Sequence, residues 1–177
     1  MDDKELFETY KEAVFHYCLY MLRSRADAED ICQEVFVKAL VADRSRVEHI
    51  KAWLMRIAAN ECHSMLRRKT NGQMKEKRAF RLNLPLRPPQ SVEKTYEASE
   101  TSDEFEQLLG RLKPKLREAL LLYYIADLST AETAEALNVP VGTVKSRISR
   151  GLNMLKKFTE NQPALPEKEG DVHASNC

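Results

Sequence analysis

The stretch from Ser129 to Lys157, STAETAEALNVPVGTVKSRISRGLNMLKK, constrains the fold more than any other, because it encodes two short helices and the turn between them. The first, about Thr130 to Leu137, opens on a Ser-x-x-Glu pair. There Ser129 can cap the Glu132 amide while the Glu132 carboxylate reaches back. Ala131, Ala134 and Ala136 leave little bulk, so another helix can cross close by. Asn138 tolerates the left-handed conformation that ends a helix, and Pro140 cannot continue one but can open the next.

The second helix places Val141, Val144, Ile148, Leu152 and Leu155 at steps of three and four, a single apolar stripe. Its other faces carry Thr143, Lys145, Ser146, Arg147, Ser149 and Arg150, and no acidic residue falls between Val141 and Lys157. Cations meet phosphates and guanine edges, and short hydroxyls fit close, so this face suits a major groove. The pattern reads as a helix-turn-helix with its recognition helix second. A plain helical hairpin with a solvated basic face satisfies the same spacing.

A chain of 177 residues with 43% hydrophobic content holds one ordinary domain or two small ones. Its net charge is only +1, so DNA affinity must come from local patches. No apolar run approaches the ~18 residues of a membrane span, and the acidic start MDDKELFETY lacks the order of a signal peptide. A cytoplasmic protein without membrane insertion is expected. Cys18, Cys32, Cys62 and Cys177 form no C-x-x-C pair. His16 with Cys18, or Cys62 with His63, diverge on a helix, so no metal site is expected. The chain has no P-loop, no G-x-S-x-G and no H-E-x-x-H, so neither an enzyme nor a cofactor is indicated.

Residues 1–69 read as three helices. Leu6, Tyr10, Val14, Tyr17 and Met21 face inward on the first, and Ile31, Val35, Phe36, Ala39 and Leu40 on the second. Ser24 with Asp27, or Asp27 with Asp30, can start the second helix, whose Asp27, Glu29 and Asp30 suit the positive end of its dipole. Ser45 and Glu48 form another Ser-x-x-Glu box before a third helix, His49 to Lys69, with Ile50, Leu54, Ile57, Ala58, Cys62 and Leu66 inward. Arg67-Arg68-Lys69 then complements a helix C-terminus. Residues 70–103, with Asn71-Gly72 and prolines 85, 88 and 89, read as a linker of ~30 Å mean span with room for one short turn of helix. Periodicity resumes over 104–158, where Pro114 can open a helix and Tyr123-Tyr124 read as core. Residues 159–177 read as a disordered tail.

Three blocks of this chain resemble bacterial RNA polymerase sigma factors of the extracytoplasmic-function type in the sigma-70 family. They are DAEDICQEVFVKAL (Asp27 to Leu40), AWLMRIAANECHSMLRRK (Ala52 to Lys69) and the stretch from Leu112 to Leu155. The resemblance implies an all-α fold, with sigma region 2 at residues 1–69 and a region 4 helix-turn-helix at 104–158. It places Asp27, Glu29, Asp30, Gln33, Glu34 and Phe36 on a surface for the β′ clamp helices of core polymerase, and charge there would set orientation and rate. It assigns Asn60 to a pocket that reads a flipped base of the −10 element, with Arg56, Arg67, Arg68 and Lys69 near phosphates of the melted strand. Trp53 is implied to be mainly core. Ser64 stands where relatives usually carry an aspartate, which bears on −10 sequence preference.

The −35 element would be read as duplex by Lys145, Ser146, Ser149 and Arg150, flanked by Thr143 and Arg147. The implied partners are core RNA polymerase (β′ and β subunits), promoter DNA and an anti-sigma factor, with the free chain a monomer. The polymerase would fix the spacing of the two readers. A stand-alone helix-turn-helix regulator is the competing reading, and a recombinase would need a nucleophilic Ser or Tyr among clustered arginines.

Overall fold

The computed structural model describes residues 2–81 and 100–160, with side chains for 2–72 and 104–160. Most of the expected linker and the expected tail therefore lie outside the described residues. Those described fold into seven helices: α1 (Asp3–Leu22), α2 (Arg25–Val41), α3 (Ile50–Arg81), α4 (Glu100–Arg111), α5 (Pro114–Leu120), α6 (Thr130–Leu137) and α7 (Val141–Glu160). A π-helical stretch, Leu121–Ile125, prolongs α5.

The N-terminal helices form as their stripes dictate. Leu6, Val14, Tyr17 and Met21 of α1 are fully buried and pack on Ile31, Val35, Phe36 and Ala39 of α2 and on Leu54, Ala58 and Cys62 of α3. Tyr10 and Trp53 are partly buried against this core. Leu40 departs from expectation: it is 44% exposed beside Val41 at the end of α2. Ser24, in extended conformation, caps α2 by accepting from the Asp27 amide at 3.4 Å, which selects one of the two starts that the sequence allows.

Two local expectations fail at α3. The Ser45–Glu48 box is replaced by a tight turn in which the Ser45 amide donates to Asp43 Oδ1 at 2.9 Å, although the helix starts at Ile50, within one residue of the expected His49. A two-residue contact closes this turn with less chain than a capping box needs. At its other end α3 runs through Asn71-Gly72 to Arg81, so part of the expected linker is helical. The Lys, Arg, Glu, Gln and Met residues that follow Gly72 are strong helix formers and outweigh one glycine. Arg67-Arg68-Lys69 consequently sits within the helix, not at its C-terminus.

The C-terminal helices are set by strong local signals. The Ser129 amide donates to Glu132 Oε2 at 2.8 Å and the Glu132 amide to Ser129 Oγ at 3.2 Å, the full capping box. Asn138 ends α6 at φ 52°, and Pro114 opens α5 at its first turn. In α7 the buried stripe is Val144, Ile148 and Gly151, while Val141 and Leu152 are 38% and 41% exposed. Gly151 is required by close approach, since a Cβ there would stand 2.7 Å from Leu120 Cδ1. Tyr124 is 54% exposed and Tyr123 half-buried, so the tyrosine pair is not wholly core; the π-helical stretch alters the phase of the stripe.

The two groups of helices pack against each other. α6 lies between α7 and α3, and α1 meets α4, α5 and the π-helical stretch. One core thus runs through both halves.

Candidate nucleic-acid and polymerase interfaces

The first half of α7 is a platform of defined orientation. Val144 and Ile148 anchor it to the core, and this turns Lys145, Ser149 and Arg150 to solvent with Thr143 and Ser146 half-buried beside them. Arg147 behaves differently. Its Nη1 donates to Glu118 Oε1 at 2.8 Å, and Glu118 is only 2% exposed. Breaking such a buried pair from one side leaves a charge without compensation. The structure thus commits Arg147 to holding α7 against α5.

Beside α7 opens a groove of about 850 Å³ lined by Lys113, Lys115, Arg147, Arg150, Asn153 and Lys157 with apolar Pro114, Leu116 and Met154. It carries five cations and no carboxylate, so it extends the basic surface beyond the recognition helix. Sequence reasoning passed over Lys113 and Lys115. Their signal was available: both flank Pro114 at the first turn of α5, the helix on which α7 packs.

On α3, Arg56, Asn60 and Arg67 recur at steps of four and seven, share one side of the helix and are all exposed. Arg68 is exposed as well, whereas Lys69 is ion-paired with Asp27. That pair joins a residue expected at DNA to one expected at polymerase. Burial works to raise the Asp27 carboxyl, and hydrogen bonds from Lys69 and Ser24 outweigh it, so Asp27 sits below the ordinary aspartate value.

The expected polymerase face of α2 splits in two. Glu29, Asp30, Gln33 and Glu34 are exposed, while Phe36 is buried with its ring edge-on to Phe7 at 4.9 Å. Phe7 is 44% exposed and stands on the rim of a cleft of about 530 Å³ between α1 and α2, with Phe15 and Cys32. A second cleft of about 530 Å³, between α2 and α3, is lined by Asp30 and Glu34 on one side and by Ser64, Arg67 and Arg68 on the other. The acidic and basic candidates of this half therefore border one concavity, with Ser64 in its wall.

The cysteines follow the core. Cys18 and Cys62 are buried, and the neighbouring Cys62 together with burial pushes the Cys18 thiol far up. Burial raises the half-buried Cys32 thiol to about 11. Thiols held protonated in this way are poor nucleophiles and poor metal ligands, and no group of three metal-ligating side chains occurs among the described residues.

These surfaces define a helical protein of two packed halves, one carrying a helix-turn-helix with a basic recognition helix and the other a long helix with a cationic face. Sequence comparison narrows this class. Residues 6–72 match the family described as Sigma-70 region 2, and residues 102–155 match Sigma-70, region 4. The chain is 33% identical over 161 residues to the ECF RNA polymerase sigma factor SigW of Bacillus subtilis (strain 168), covering 86% of each. It is also 33% identical over 141 residues to the ECF RNA polymerase sigma-E factor of Haemophilus influenzae (strain ATCC 51907 / DSM 11121 / KW20 / Rd), covering 75% of each. The chain belongs to the extracytoplasmic-function sigma factors of the sigma-70 family. The fold agrees: the sigma factor RpoE of Bartonella quintana, solved with the anti-sigma factor NepR, aligns at TM-score 0.72 over 90% of this chain and 98% of that one, at 23% identity. CnrH, solved with the cytosolic domain of CnrY, aligns at 0.64 over 91% and 89%, at 24% identity.

Proposed function

We propose that this protein is a dissociable specificity subunit that binds core RNA polymerase, directs it to a class of promoters and promotes opening of the −10 element. The observation that carries this reading is the pairing, in one chain, of a region 2 match with an exposed cationic α3 face and a region 4 match with an outward-facing basic α7. A stand-alone regulator would need only the second, so the comparisons do not favour it.

In this reading residues 1–69 serve polymerase and the −10 element, and 104–158 serve the −35 duplex. Lys145, Ser146, Ser149 and Arg150 read bases, Thr143 and Arg147 flank them, and Lys113 and Lys115 add phosphate contacts. Asn60 reads a displaced base, with Arg56, Arg67, Arg68 and Lys69 along the strand. Asp27, Glu29, Asp30, Gln33 and Glu34 meet the β′ clamp helices over an apolar base made by Phe36 and Phe7. The solved RpoE was captured with an anti-sigma factor, and an anti-sigma partner is part of the proposal. So are a cytoplasmic location and the absence of catalysis. No described helix is long and apolar enough to cross a membrane.

Run-off transcription with sigma-free core polymerase on a pooled genomic promoter library tests this. New starts that share two spaced upstream motifs are expected. A folded protein that neither binds core nor yields a new start overturns the reading.

A further inference from the structure

The groove beside α7 differs in charge from the other clefts. Lys113, Lys115, Arg147, Arg150 and Lys157 stand in its wall without a carboxylate among them. In the cleft between α2 and α3, by contrast, Asp30, Glu34 and Glu61 stand beside the cations. Arg147 is already neutralised by Glu118. Lys113, Lys115 and Arg150 are exposed and make no ion pair among the described residues, so they give the groove its uncompensated charge. The floor is apolar, with Leu116 and Met154 half-buried beside Pro114. A groove of this kind fits a chain that carries several carboxylates and an aliphatic side chain.

Such a chain begins where the groove ends. Arg147, Arg150, Met154 and Lys157 recur at steps of three and four, so the groove follows one side of α7. At ~1.5 Å per residue that side is ~15 Å long. Lys157 is one turn from Glu160, the last residue of α7. The sequence continues NQPALPEKEGDVHASNC over residues 161–177, with Glu167, Glu169 and Asp171 against one lysine, Lys168. Leu165 lies between Pro163 and Pro166. Proline has no amide to donate and its ring clashes with the preceding turn, so the two oppose continuation of α7 and favour a change of direction. Glu167 is seven residues beyond Glu160 and Asp171 eleven. Extended, those stretches reach ~25 Å and ~40 Å, more than the length of the groove.

We propose that residues 161–177 occupy this groove, with Leu165 on the floor of Pro114, Leu116 and Met154 and the three carboxylates on Lys113, Lys115 and Arg150. The tether makes weak contacts sufficient, because a short link holds the segment at an effective concentration on the order of millimolar. Three exposed ion pairs of ordinary strength then favour the docked state roughly three- to tenfold.

One consequence rests on the promoter-reading function above. In that reading Lys113 and Lys115 hold −35 phosphates and Arg150 a base, so segment and duplex exclude each other from the groove. Lys145 and Ser149 lie outside it and stay open to base edges. The segment therefore weakens duplex binding mainly through phosphate contacts, which carry no sequence information.

The test places a nitroxide at His173→Cys, two residues beyond Asp171, in the full-length chain carrying Cys32→Ser and Cys177→Ser, since Cys18 and Cys62 are buried. Backbone amide signals of Lys113, Lys115, Arg150 and Met154 should broaden in the free protein, and those of α2 should not. Glu167→Gln, Glu169→Gln and Asp171→Asn together should abolish the broadening. They should also tighten binding to a mixed-sequence DNA duplex roughly three- to tenfold at low salt. The gain should shrink as salt screens the pairs. Leu165→Ser leaves the charge unchanged and should also reduce the broadening, which repulsion of DNA at a distance does not require. No broadening in the labelled chain, or broadening centred on the α3 cations, overturns the docking. A gain in the neutral variant without broadening in its parent assigns the effect to long-range repulsion, leaves the groove to DNA phosphates and overturns the docking as well. Absence of run-off transcription, or of duplex binding by every variant, overturns the promoter reading instead, and the broadening alone then judges the docking.

Discussion

Apolar stripes organise the first three helices, whereas the helices after Glu100 are organised round two buried charges. Among the described residues of the N-terminal half every fully buried side chain is apolar or a thiol apart from Tyr17, whose hydroxyl has no hydrogen-bond partner. In the C-terminal half Glu118 and Arg117 are 2% and 7% exposed, and they hold α7, the turn before α5 and the end of α1 in place. A stripe tolerates substitution of similar volume, but a buried ion network fails when one member is removed. The C-terminal half, proposed to read duplex DNA, is therefore the more sensitive to single changes, because α7 is aligned by charge.

The sharpest way to break this contrast is Glu118→Ala. It strands the Arg147 guanidinium and removes the acceptor for His63, so a loss of about 3–5 kcal/mol in unfolding free energy is expected. Val35→Ala, in the stripe between α1 and α2, removes two methyl groups and should cost about half as much at most. Urea unfolding of both variants measures the difference, and equal losses would remove the distinction. Gly151→Leu comes next. Its side chain would meet Leu120, itself buried, and overpacking there should cost about 1–3 kcal/mol in the same assay.

Arg150 and Arg147 sharpen the comparison within one helix. Arg150 is exposed and has no counterpart of the Glu118 bond, so Arg150→Ala should leave stability unchanged and weaken −35 duplex binding by about 1–3 kcal/mol. Arg147→Ala should show the opposite balance, with a lower unfolding midpoint as its main effect. Fluorescence anisotropy on a −35 duplex beside urea unfolding separates the two. Identical behaviour of the two variants would return Arg147 to the DNA-facing side chains that flank the base readers.

The same contrast explains what could be read from residues alone. The Ser129–Glu132 box, the Asn138 cap and Pro114 were legible because each acts within one turn of chain. The stripes of α1 and α2 were legible because one face suffices to build a three-helix core. The roles of Glu118 and Arg117 were not, because a charged pair inside LREALL carries no sign of the distant groups that will neutralise it. Nor was the burial of Ala52 and Ala59 on α3, because both are small and fit a solvated helix equally well. Of the site candidates, Lys145, Ser149, Arg150, Arg56, Asn60 and Arg67 stand exposed, while Arg147, Lys69 and Phe36 are engaged with protein partners.

The smallest effect expected is a pH dependence of the contact between the halves. His63 is half-exposed, and the groups facing it are Glu118 and Lys115 on α5 and Arg147 on α7. The hydrogen bond to Glu118 raises the imidazole above its ordinary value, while burial and the two cations pull it down without reversing the shift. A group raised in the packed state contributes fully below its unperturbed value, and the contribution is lost as pH climbs through the raised one. The urea unfolding midpoint should therefore be highest below the ordinary histidine value of ~6.5 and fall as pH rises above it, where histidine alone changes charge without help. Solvent at the exposed edge of the ring screens the pair, so the change should be modest. In His63→Gln, which keeps a neutral donor, the contact should persist and the dependence on pH should vanish. A pH profile unchanged by that substitution would place the titrating group elsewhere and leave the His63–Glu118 bond with a purely structural part in the packing of the halves.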